Sequence, residues 1–148
     1  MTAQRFFDNP NFLAYVRLLR QLHRLIRDGV DETAEGEELR ERMDEPTRDL
    51  SQEEIDCLNG ISADFYTLSD PPWQVQPSPL SVQQEWKEMQ KARDTRDFVW
   101  ALDLLRKNQA YHDAVTVTYE RGNIWSGAGE NEIAVEFFQR AKELGGRP

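Results

Sequence analysis

His23, His112 and Cys57 are the only imidazole and thiol groups in the 148 residues. A structural metal site needs about four convergent ligands, and a Cys–His nucleophile needs the two side chains held within hydrogen-bond reach. His23 sits near the edge of an apolar stripe, His112 lies beside Asp113 at a helix start, and Cys57 is one turn from Ile61 on a helix. A thiol in that setting is ordinary packing. This reading assigns no metal, no cofactor and no thiol chemistry. The 27 acidic residues can bring two carboxylates into a cleft by chance, and acid–base work needs such a pair. Nothing singles one pair out, so an enzyme with an unrecognised carboxylate site is the weakest of three functional readings. Gly127-Ala128-Gly129 joins two helical patterns, which is the wrong context for a phosphate-cradling loop.

Charge narrows the partners. The net charge is −9, so the chain as a whole repels nucleic acid and anionic lipid. The distribution is uneven: residues 1–30 carry five Arg against two Asp, and residues 31–60 carry twelve acids against three Arg. Arg17, Arg20, Arg24 and Arg27 recur at steps of three and four and form a basic ridge. The plain reading is a solvated face, or pairing with the Glu-rich segment 32–45. The sharper one is docking of an acidic partner. No run reaches the roughly 18 apolar residues of a membrane span, the start lacks a signal-peptide core, and a lone cysteine suits a reducing compartment. The expectation is a cytoplasmic protein with neither nucleic-acid nor membrane partners.

The elements that position these residues read as helices throughout. Asn9 caps a first helix at Pro10, with Phe12, Tyr15, Val16, Leu19, Leu22 and Ile26 on one face and Gly29 as its stop. A weak second helix spans about Thr33 to Met43 and is ended by Pro46. Ser51-Gln52-Glu53-Glu54 is a capping box that opens a third helix running to about Thr67. Asp70 to Leu80 reads DPPWQVQPSPL. Four prolines exclude a helix, so the segment is an extended linker that Trp73 pins to the body; a Pro-rich ligand for a partner is the lesser alternative. Ser81 caps the next helix, Asp94 or Thr95 opens another, and two more run from about Gln109 to Ser126 and from Glu130 to Leu144. Ala114 to Tyr119 is β-branched and alternating, but no second strand exists to pair with it, so it reads as helix. The fold class is all-α, with about seven helices. The domains are 1–69, an N-terminal three-helix unit; 70–80, the linker; and 81–148, two helical hairpins, packed together as one continuous domain.

The hairpins repeat. Ala101 and Ala134 lie 33 residues apart, as do Leu105 and Phe138. The last unit has Tyr119, Gly122, Asn123, Trp125, Gly129, Ala134, Phe138, Ala141 and Leu144 at characteristic spacings, and it resembles the tetratricopeptide repeat family, whose period is about 34 residues. The preceding unit, about Val82 to Ala114, is degenerate. The stretch from Met43 to Tyr66 looks like uncharacterised bacterial proteins that precede such repeats. The tetratricopeptide resemblance implies close helix approach at Gly122 and Ala134. It also implies a concave groove faced by Gln83, Trp86, Gln90 and Arg93 from one unit and Thr116, Tyr119, Asn123 and Ser126 from the other. It further implies a noncatalytic scaffold or adaptor that binds a partner protein or peptide; a self-assembling homo-oligomer is the runner-up. Family members that clamp an acidic carboxyl terminus use Asn with several basic residues, and Asn123 lacks the Lys partners. Only Gly145-Gly146-Arg147-Pro148 follows the last helix, so no capping helix is expected, and solenoid ends need a polar cap. Phe138 takes the inward aromatic position, which leaves Ile133 and Phe137 as the expected open, partner-binding side.

Overall fold

The structure is a computed structural model and describes residues 5–145; the tail 146–148 after the last helix lies outside the described residues. It contains seven α-helices and, among the described residues, no strand: α1 (Pro10–Arg27), α2 (Ala34–Thr47), α3 (Gln52–Tyr66), α4 (Val82–Asp94), α5 (Phe98–Lys107), α6 (Ala114–Gly127) and α7 (Asn131–Gly145). The chain forms two compact units that divide between Ser69 and Asp70, so the proline-rich segment 70–80 belongs to the second unit.

In the first unit, local chemistry sets each boundary. The Asn9 side chain accepts from the Asn11 N–H at 3.0 Å, which caps α1 with Pro10 in its first turn. α1 ends in a Schellman motif: Gly29 has φ +74, and the Val30 N–H donates to Leu25 O at 2.9 Å. The capping box of α3 is complete, with both reciprocal bonds between Ser51 and Glu54 present. Glu54 also accepts from Asn9 Nδ2 at 2.8 Å, which ties the start of α1 to the start of α3. α2 runs past Met43 and holds Pro46 inside its last turn, one residue before its end. Proline removes the bond to the carbonyl four residues back, and at this position the helix is already closing. The Thr47 hydroxyl donates to Met43 O at 2.8 Å.

The core of this unit is Phe12, Val16, Leu39, Met43, Leu58, Ile61 and Phe65, all buried. His23 is also buried, at 5 % exposure, and its Nε2 lies 2.8 Å from Ser62 Oγ. Ser62 is within α3, where backbone N–H groups are committed to the helix and leave no donor pair for an oxyanion. The pair fastens α1 to α3. Burial, and secondarily the Arg20 charge, lowers the His23 pKa from 6.5 to about 4. The unfolded chain therefore takes up this proton near pH 6.5 and the folded one only near pH 4. The folded state is progressively disfavoured as pH falls from 6.5 towards 4, and is unaffected above that window. Urea midpoints at pH 7 and pH 4.5 should fall less for His23→Gln than for the wild type; an identical drop would show that His23 does not carry the acid sensitivity.

In the second unit, α4–α5 and α6–α7 are two helical hairpins with the same turn. Thr95 and Ala128 end the first helices, Arg96 (φ +65) and Gly129 (φ +83) follow in the left-handed region, and the next N–H in each case bonds back five residues: Asp97 to Ala92 O, and Glu130 to Trp125 O. The 33-residue offset of Ala101 and Ala134 is thus reproduced at every position of the turn. Arg96 holds a conformation that favours glycine while its guanidinium lies over the Phe98 ring at 5.2 Å and donates to Gly127 O at 3.2 Å. α5 is capped by Asp97 rather than Asp94 or Thr95, because α4 runs through Asp94 and the next two residues form the turn. α6 begins at Ala114 rather than Gln109. A separate 3-10 turn occupies Gln109–Tyr111, His112 is extended, and the Asp113 carboxylate accepts from the Thr116 N–H at 2.9 Å. That cap holds the β-branched run in a helix.

Candidate functional site

The residues expected to face a groove fall into three groups. The first lies between α6 and α7. Gly122 has no side chain there, and a Cβ built on it would lie 2.5 Å from the Phe138 ring, closer than any methyl tolerates. The ring therefore settles against the α6 backbone, with Tyr119 at a centroid distance of 5.4 Å. Val115, Thr116, Tyr119, Phe138, Ala141 and Lys142 line an open groove of about 620 Å³. Its floor is apolar, Tyr119 is 53 % exposed, and Lys142 stands on the α7 rim.

The second group is polar. Arg93 of α4 reaches Glu120 of α6 at 2.6 Å, and Asn123 donates to the same carboxylate at 3.4 Å. Glu120 joins the two rows of residues expected on the inner face, and it also borders the apolar groove. The sequence reading missed it. The available signal was its spacing: four residues after Thr116 and three before Asn123, on one helical face.

The third group surrounds Trp86. This indole is half-buried and packs on the His112 ring at 4.3 Å. Burial lowers the His112 pKa, partly offset by Asp113. Trp73 Nε1–H donates to the His112 carbonyl at 2.9 Å, so the proline-rich segment is pinned here. Gln90 is half-buried, and Gln83 and Ser126 are exposed. Trp86, Arg93 and Tyr119 thus do not make one continuous apolar surface.

The open side of α7 is corrected by the structure. Ile133 is 4 % exposed and Phe137 is fully buried, with Ala134 and Ala141. These positions share one helical stripe, and Phe138, one residue round, falls on the accessible edge where Gly122 makes room. The exposed apolar residue of α7 is Val135, at 60 %. The arginine ridge is also divided. Arg20 is 3 % exposed with its guanidinium 5.6 Å from the Phe65 ring centre, so it is a packing residue. Arg24 lines a cleft of about 330 Å³ with Glu35, Glu38 and Arg42, and Arg27 pairs with Asp28 at 3.2 Å.

Among the described residues no group of three or more His, Cys, Asp or Glu is placed to hold a metal ion, and no helix is long and apolar enough to cross a membrane. No family model, no curated protein and no solved structure matches this chain.

Proposed function

We propose that the chain is a noncatalytic adaptor that binds a partner protein or peptide through the α6–α7 groove of a tetratricopeptide-like double hairpin. The observation that carries this reading is the apolar groove between α6 and α7, with the half-exposed Tyr119 and Phe138 rings in contact along it. Rings in such clefts are frequent binding anchors, and a groove between two antiparallel helices suits an amphipathic helix laid along it. The exact recurrence of the hairpin turn at a 33-residue offset supports the repeat assignment. Hydrogen exchange of the chain with and without a bound partner tests the site. Protection is expected in α6 and α7 around Val115, Tyr119 and Ala141; protection confined to α1–α3 would place the interface elsewhere. A homo-oligomer by light scattering whose exchange footprint covers the same groove would favour self-assembly over adaptor function.

A further inference from the structure

Segment 70–80 lies on the second unit as an extended peptide. All of its eleven residues but the half-buried Trp73 are exposed, and Val75 and Leu80 point their apolar side chains to solvent at 53 % and 102 %. Among the described residues, three hydrogen bonds hold it to the rest of the unit. Trp73 Nε1–H donates to His112 O at 2.9 Å, the Gln76 N–H donates to Ala110 O at 2.7 Å, and Arg140 Nη2 donates to Asp70 O at 2.7 Å. The receiving surface is built from the 3-10 turn Gln109–Tyr111, His112 and, packed on the His112 ring, Trp86. Two of the three bonds use backbone carbonyls of the receptor, and two use backbone atoms of the segment. Within the segment only Trp73 contributes a side chain. This is the economy of a bound peptide: backbone bonds for affinity and one aromatic anchor for register. Prolines at 71, 72, 77 and 79 keep the segment extended before it docks, which lowers the ordering cost.

We propose that the face formed by residues 109–112 and Trp86 is a binding site for an extended, proline-rich peptide carrying a tryptophan anchor, and that segment 70–80 is its resident ligand. A tethered segment acts at a local concentration of about millimolar, so it shields the face from weak competitors and yields to a partner that binds more tightly. The site is separate from the α6–α7 groove. Its biological use rests on the adaptor reading, but the peptide-binding property does not, and the two fail separately.

The test uses the full chain and a capped synthetic peptide, DPPWQVQPSPL. Trp73→Ala removes the anchor from the resident segment and vacates the face. The peptide is expected to bind this variant at least tenfold more tightly than the wild type, with NMR shifts at Ala110 and His112, and a peptide with Ala in place of its Trp is expected not to bind. Equal affinity for variant and wild type, or no binding to the folded variant at millimolar peptide, overturns the proposal. If Trp73→Ala does not fold, Gln76→Pro replaces it: position 76 is exposed, and the change removes the N–H given to Ala110 together with the local bond from the Gln76 side chain to Gln74 O. The same tenfold gain is then expected, and its absence is equally decisive.

Discussion

Replacing Phe137 with glutamate should unfold the second unit at neutral pH. The ring is fully buried on the inner stripe of α7 with Ile133, Ala134 and Ala141. Truncating a buried Phe costs about 3–5 kcal/mol on its own, and a carboxylate left in its place adds the desolvation of an unpaired charge. The total is comparable to the whole stability of an ordinary domain, about 5–15 kcal/mol. Phe138→Glu, one residue on, puts its charge at a half-exposed groove position and should fold. Circular dichroism with urea titration checks the pair. A stably folded Phe137→Glu would mean that α7 presents that stripe to solvent.

Gly36→Ala should destabilise the first unit by about 1–3 kcal/mol, the range for forcing a group into a filled space. The sign is not obvious, because alanine in a helix gains about 1 kcal/mol over glycine. Geometry decides it. A Cβ on Gly36 would lie 1.8 Å from the Asp31 carbonyl oxygen and 2.6 Å from its carbon. That carbonyl is backbone, and it is clamped in place by Arg40, whose Nη1 donates to it at 2.8 Å while Nη2 meets the Asp31 carboxylate at 3.3 Å. The loop must lift by about an ångström or more, since real Cβ contacts stay beyond roughly 3 Å, and the clamp breaks with it. The urea midpoint of Gly36→Ala reads the effect directly; a midpoint at or above that of the wild type would mean that the loop yields freely.

The legible features were those encoded in adjacent residues. The Asn9 cap, the Ser51–Glu54 capping box and the Gly29 stop each depend on a few neighbours, and the structure shows each one. Helix content was legible from apolar spacing, and the β-branched run after Asp113 reads as helix because no second strand exists to pair with it. Boundaries were less so where two signals competed: Asp94, Thr95 and Asp97 are all good caps, and only the turn geometry at Arg96 selects Asp97. The sites were least legible, because they depend on which of two adjacent residues faces in. Phe137 and Phe138 are chemically identical, and the difference lies across the hairpin in Gly122. The sequence reading gave Gly122 its spacing role but matched Phe138 to the interior by family position. Glu120 carries no signal by residue type, as one acid among 27; the Arg93 guanidinium 2.6 Å away marks it out. Arg20 looked like one tooth of a basic ridge, and only the Phe65 ring shows it to be core.

The central claim is that the α6–α7 groove binds a partner, and Tyr119 is the cleanest probe of it. Its ring is 53 % exposed, so Tyr119→Ala leaves the fold intact; Trp86→Ala would also disturb the His112 stack. An anchor aromatic is worth about 2 kcal/mol or more at a binding surface, close to a thirtyfold change in Kd. Titration calorimetry of an identified partner against wild type and Tyr119→Ala, with matched circular dichroism, measures this directly. The expected result is a loss of about thirtyfold or more with helicity unchanged. An unchanged Kd in a folded Tyr119→Ala protein would contradict it.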